Sequence, residues 1–219
     1  MKLSQAFKDM DKYIKENLDT ITCHDIFEIK SDFYTEIESL CGNTANFTGL
    51  TELLIFRFMY HALGMTEDVQ NKLVQQDNMK LLIGNRYIGK NGKYQEPDIV
   101  VEKNEVIKYL LSIKNILSTV SPTKNEKESI LIKELIKQNG VCTNSIQDIF
   151  RIDNIRHNRN NNFNSITIVF SKIPQRHKRA IEIIHNKFEW HRFLILENNN
   201  NSFLTELKKK LNFSNSSIS

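Results

Sequence analysis

Five side chains in this sequence have the types and spacing to do chemistry together: Glu52, Asp98, Ser112, Lys114 and Glu128. Asp98 follows Pro97 and heads the apolar run Ile99-Val100-Val101; Ser112-Ile113-Lys114 closes the next apolar run, Val106 to Ile113. Glu128 stands further on in a segment with helical periodicity, and Glu52 inside a segment that is apolar on most sides. Carboxylates beside one lysine suit the hydrolysis of a phosphodiester. That reaction needs a water made nucleophilic near neutral pH and charge neutralised on the phosphate, and a hard cation held by carboxylates does both. Mg2+ keeps several waters, so one or two carboxylates suffice to bind it. A lysine beside it can orient or deprotonate the attacking water and contact the phosphate.

The elements that must position these groups follow from pattern. Proline donates nothing to a ladder and suits the mouth of a strand, with Asp98 as its first residue. The turn Lys103-Asn104-Glu105 joins Asp98–Glu102 to Val106–Ile113 as a β-hairpin. Side chains alternate along a strand, so Ser112 and Lys114 share one face. The turn pairs Asp98 with a residue near 110 or 112, a register that a bulge can adjust. A helix is predicted from Ser121-Pro122 to about Gln138, with an N-cap serine and proline at its first position. On its wheel Leu131, Ile132 and Leu135 fall within about 60 degrees of Glu128. A carboxylate on an apolar stripe requires compensation. Glu52 poses the same problem on a helix from Gly49 to about Leu63, N-capped by Thr48 and ended by Gly64. There it either joins the site, acting through a second metal or a water, or pairs structurally with a buried Arg or Lys.

The remaining pattern is α/β: a mixed sheet flanked by helices. Residues 2 to about 40 are amphipathic and helical (Phe7, Met10, Ile14, Leu18), and 1–47 forms an N-terminal helical segment. Residues 48–210 form the main domain, and 211–219 a tail expected to be disordered. Residues 65–80 read as a helix or loop. Arg86-Tyr87-Ile88 reads as a short strand, Asn164–Ser171 and His191–Leu196 as strands, and Arg176–Phe188 as a helix. The chain has 219 residues, a formal net charge of +4 and three cysteines without metal-ligand spacing. This permits a polyanionic partner without demanding one, and reads as reduced thiols in a cytoplasmic protein. No run approaches the roughly 18 apolar residues of a membrane span.

Together, Pro97-Asp98 and Ser112-Ile113-Lys114 resemble the PD-(D/E)XK nuclease superfamily over roughly residues 48–196, with serine at the place of the usual acid. One restriction-endonuclease subgroup, whose members recognise CCGG or CCNGG sites, uses Ser-x-Lys there. It draws the missing acid from a glutamate twelve or thirteen residues beyond the lysine, and thirteen separate Lys114 from Glu128. That subgroup also carries a glutamate on a helix ahead of the core, as Glu52 is placed here. Its Arg and Asp base readers have no counterpart in Asn115–Val120, so the CCGG specificity does not carry over.

The resemblance implies a restriction-endonuclease-like fold and a type II, site-specific deoxyribonuclease. Its cofactor would be Mg2+, held by Asp98 and Glu128 with Glu52 nearby, and its products would carry 5′-phosphates. Its partners would be double-stranded DNA, a second copy of the chain in a homodimer with the N-terminal helices as candidate dimerisation or DNA-embracing elements, and a cognate DNA methyltransferase. Two rivals keep the fold: a repair or phage-defence nuclease with little sequence preference, and a module that binds nucleic acid without cutting. Candidate DNA contacts are Arg156, Asn158 and Arg159, placed in a polar loop, and Arg176, Lys178 and Arg179 at a helix start. Arg and Asn are the usual readers of guanine and adenine, and a basic helix start can clamp phosphate. For each group an ordinary solvated surface is the competing reading.

Overall fold

The computed structural model describes residues 3–42, 48–68, 73–122, 124, 126–159 and 162–212. Two helices lead: α1 (Leu3–Glu16) and α2 (Cys23–Cys41). α2 starts from a capping box, in which the Thr22 hydroxyl accepts from the Asp25 N–H and the Asp25 carboxylate accepts from the Thr22 N–H. Then come α3 (Thr48–Ala62), β1 (Thr66–Asp68), β2 (Leu73–Gln76), β3 (Met79–Ile83), β4 (Tyr87–Ile88), β5 (Tyr94–Gln95), β6 (Ile99–Lys103) and β7 (Val106–Lys114). The chain continues with α4 (Glu126–Asn139), α5 (Ser145–Arg159), β8 (Asn164–Val169), α6 (Gln175–Lys187), β9 (His191–Ile195) and α7 (Phe203–Leu211).

The main sheet has seven strands in the order β1-β2-β3-β6-β7-β8-β9. The first five pair antiparallel; β8 joins β7, and β9 joins β8, in parallel. This is the α/β class with a mixed sheet and flanking helices that the pattern implies. Both faces are covered. On one, Ile99, Val101, Leu111 and Ile113 pack with α1, α2, α3 and α7 through Ile14, Ile26, Leu54, Phe58 and Phe203. On the other, Val100, Leu110 and Ile107 pack with Ile152 and Ile155 of α5, while α4, α5 and α6 share a third cluster around Ile132, Ile149 and Ile184. The N-terminal helices thus contribute to the same core as the sheet. No described helix is long and apolar enough to cross a membrane.

Three expectations change. Residues 65–80, read as a helix or loop, hold β1, β2 and the start of β3. Asp77 and Asn78, both at positive φ, turn β2 into β3 as a two-residue hairpin. α4 begins at Glu126 and not at Ser121. Residues 145–159 form α5, so Arg156, Asn158 and Arg159 belong to a helix and not to a loop. Buried Leu211 closes α7, whereas residues 213–219 of the tail fall outside the described residues.

The β6–β7 hairpin carries the feature that sets the site. Asn104 and Glu105 both have positive φ and form its two-residue turn. Lys103 then pairs with Val106 and Glu102 with Ile107, but Val101 pairs with Tyr109, leaving Lys108 as the extra residue of a β-bulge. Beyond the bulge Ile99 faces Leu111, and the same register puts Asp98 opposite Ser112. Without the extra residue Asp98 would stand opposite Leu111, whose side chain belongs to the other face.

Candidate active site

At the mouth of β6, next to the carboxyl end of β7, a cleft of about 310 Å³ is lined by Thr51, Glu52, Asp98, Ile113, Lys114, Asn115, Ile116 and Asn144. Three of the predicted residues therefore meet: Glu52 from α3, Asp98 from the approach to β6 and Lys114 from the end of β7. The Asp98 carboxylate accepts a hydrogen bond from the Ile113 N–H at 2.6 Å, which ties it across the hairpin. Ser112 is buried on the strand between Leu111 and Ile113, and its Oγ has no hydrogen-bond partner. A serine supplies no charge there.

The charge comes from α5. Lys114 Nζ lies 2.5 Å from Asp148 Oδ2, and Arg151 reaches Asp148 Oδ1 at 3.0 Å. The Asp148 side chain is only 7% exposed, so this carboxylate is sealed between two cations. Asp148 is the residue that sequence reasoning missed, and the signal for it was present. On the α5 wheel it shares a face with Ile152 and Ile155, the same anomaly of an acid on an apolar stripe that singled out Glu128. Glu128 itself lies in the first turn of α4, half-buried with Oε1 shut off from solvent. It is not among the residues that line the cleft.

The electrostatics mark the cleft as short of positive charge. Burial pushes the Asp98 carboxyl above its ordinary range and the field of Asp148 adds to this, while the Ile113 N–H, Lys114 and Arg151 pull the other way. Glu52 is also pushed up, first by burial and then by Asp98 and Glu96, with Lys114 opposing. Each carboxylate is therefore easier to ionise if a cation arrives. Glu52 and Asp98 face one polar cleft, and that pair fits a Mg2+ that keeps most of its water. Among the described residues no group of three or more His, Cys, Asp and Glu side chains converges as a metal site, so the protein would supply only part of the coordination shell.

The expected DNA-contacting residues are more dispersed. Arg156 donates to the Phe163 carbonyl and its guanidinium lies over the rings of Trp190 and Phe163, 4.6 and 5.0 Å from their centroids. Asn158 donates to the Ile88 carbonyl at 2.8 Å. Both are engaged in holding the fold, and Arg159 ends the helix. Arg176, Lys178 and Arg179 are exposed on α6, where Arg179 pairs with Glu182 at 2.9 Å. His177 between them is buried, with Nε2 3.2 Å from the Thr119 hydroxyl.

Comparison with protein-family models, with curated proteins and with solved structures gives no match for this chain.

Proposed function

We propose that this protein is a Mg2+-dependent endonuclease of double-stranded DNA, of the site-specific restriction type. The observation that carries the reading is the meeting of Glu52, Asp98 and Lys114 in one polar cleft at the mouth of the β6–β7 hairpin. Bound there, Mg2+ would acidify a water and neutralise charge on the phosphate. Asp98 and Glu52 would hold it. The Ile113 N–H fixes the Asp98 carboxylate, and Asp148 fixes the Lys114 ammonium at the cleft wall. From that position Lys114 orients the attacking water and contacts the scissile phosphate.

A homodimer matches a twofold DNA site. The groove between α1 and α2 has an apolar floor, including Met10 and Phe33, and an acidic rim of Asp9, Asp32 and Glu36. That rim repels DNA, so the N-terminal helices suit a protein contact better than a DNA-embracing role.

The test is cleavage of unmethylated plasmid and phage DNA with Mg2+, with EDTA, and with Lys114→Ala. Discrete fragments that need Mg2+ and vanish in the variant are expected. A Mg2+-dependent smear would replace site specificity with unspecific cutting. No cutting by wild type on several substrates would leave a binding module.

A further inference from the structure

The contact between Lys114 and Asp148 does not end at the cleft wall. Asn144 lines the cleft and stands immediately before α5, so that helix starts at the wall. Asp148 lies in its first turn, and Arg151 follows three residues later. The two oxygens of the Asp148 carboxylate are divided between two cations. Oδ2 faces Lys114 Nζ at 2.5 Å, and Oδ1 faces Arg151 Nη1 at 3.0 Å. One buried carboxylate therefore joins a cation that lines the cleft to a cation beyond its lining.

Neutralising Asp148 takes one cation, and Lys114 is the closer of the two. The trio thus carries one positive charge in surplus, and Arg151 is the member that presents it to solvent. Its side chain is 47% exposed, against 24% for Lys114 and 7% for Asp148. A guanidinium has five N–H donors in a planar fork. Arg151 spends Nη1 on Asp148, and its side chain makes no further ion pair or hydrogen bond among the described residues. Donors are therefore left for a ligand. The charge of Arg151 is felt at Asp98, so the guanidinium stands within electrostatic reach of the cleft. An exposed arginine ordinarily loses rotamer freedom when it binds. Here the buried carboxylate holds the side chain beforehand, which lowers that cost.

The planar fork of arginine matches the oxygens of a phosphate, and a tethered fork matches them in one orientation. A nucleic-acid strand carries such charges at regular intervals, and two cations clamped to one carboxylate can meet two of them. We infer that Arg151 is a substrate-contacting residue, whose guanidinium, held by Asp148, binds a backbone phosphodiester flanking the one that Lys114 meets in the cleft. The assignment rests on the endonuclease reading for the identity of the strand, but its own content is a single phosphate contact. Phosphate contacts carry no sequence information, so the contribution of Arg151 is the same for any duplex.

The experiment is an anisotropy titration of labelled DNA duplexes of about 20 base pairs, several unrelated in sequence, over a series of salt concentrations in EDTA. Asp98→Asn serves as the background, because it removes a cleft carboxylate and leaves the contacts of Asp148 with Lys114 and Arg151 in place. Arg151→Gln, which keeps a donor for Asp148, and Arg151→Lys, which keeps the charge, are added to it, and each variant is checked by its melting curve. Arg151→Gln is expected to lower the slope of log K against log salt by about 0.9 and to weaken binding roughly tenfold at about 0.1 M salt on every duplex. Arg151→Lys is expected to keep most of the slope. Should Arg151→Gln fail to fold, Asp148→Asn with Arg151→Gln, read against Asp148→Asn alone, carries the same expectation. An unchanged slope would leave Arg151 only holding Asp148 and overturn the assignment, whatever wild type does to plasmid DNA. Weakening confined to one duplex would make Arg151 a reader of bases and overturn it as well. A lowered slope in a protein that never cuts would keep the phosphate contact and overturn the nuclease reading. If neither wild type nor the background binds any duplex, both fail.

Discussion

The sheet carries two polar groups built to opposite rules. Between β8 and the edge strand β9, His191 is fully buried and bracketed by two hydroxyls, with Nδ1 2.7 Å from Ser165 Oγ and Nε2 3.0 Å from Thr167 Oγ1. Burial holds this imidazole neutral, with its pKa pushed down to about 3, and every polar atom of the trio has a partner. At the mouth of β6 the opposite holds. Glu52 and Asp98 lie together in an open cleft, Lys114 is shared with Asp148, and Ser112 Oγ is stranded. The first arrangement gains stability by completing its hydrogen bonds before any ligand arrives. The second holds like charges close together and leaves bonds unmade, which is a cost to the fold unless something binds.

The largest expected difference is in activity. Lys114→Ala should reduce Mg2+-dependent cleavage by at least about 10²–10³-fold, the scale for losing one electrostatic contact to a transition state, and should also lower the melting temperature, because the buried Asp148 carboxylate keeps only Arg151 as a partner. Full activity in this variant would remove the cleft from the chemistry. Next comes stability. His191→Leu strands the Ser165 and Thr167 hydroxyls and should cost roughly 2–4 kcal/mol, read by urea unfolding. Adding Ser165→Ala and Thr167→Val should recover much of the loss, because the whole trio then becomes apolar. If the triple variant is no better than the single, the trio is not a closed hydrogen-bonded unit.

The two groups should also respond to pH with opposite signs. His191 is depressed, so its contribution to stability is complete above the ordinary histidine value of 6.5 and is lost as pH falls from there towards about 3. Asp98 and Glu52 are raised, so theirs is present below the ordinary carboxyl range and is lost as pH climbs through their elevated values. Metal-free unfolding from pH 3 to 8, with wild type, His191→Leu and Asp98→Asn compared, separates the two slopes. The same slope in all three proteins would contradict both assignments. The smallest effect is at Asp98 itself. Asp98→Asn keeps an acceptor for the Ile113 N–H but removes a raised charge, and should stabilise the metal-free protein by about 1 kcal/mol, a rise of roughly 2–4 °C for a chain of this size. It should also abolish any rise of the melting temperature with Mg2+. A Mg2+ effect that survives in Asp98→Asn would place the cation elsewhere.

Much of this site is legible in sequence because its signals are local. Pro97 marks the strand mouth, alternation puts Ser112 and Lys114 on one face, and Glu52 stands out on a helix that is otherwise apolar. Asp148 is harder to see. The isoleucines at 146, 149, 152 and 155 recur at every third residue, so they drift around the helix and do not form the usual mixed stripe, and three asparagines soon after the helix suggest a loop. Strands β1 to β3 are obscured for a different reason. Thr66-Glu67-Asp68 and Gln75-Gln76 are polar, and these short strands owe their place to pairing with neighbours and not to an alternating pattern.

The bulge in the β6–β7 hairpin has a consequence for how this chain tolerates change. Lys108 is exposed and unpaired, so almost any side chain fits there. Its presence, however, sets the parity of the hairpin. Deleting it would change no chemical group in the cleft, yet it would return Asp98 to the column of Leu111 and turn the carboxylate into the apolar layer under α3. The site is thus encoded partly by a count: a position indifferent to which residue fills it, and intolerant of having none.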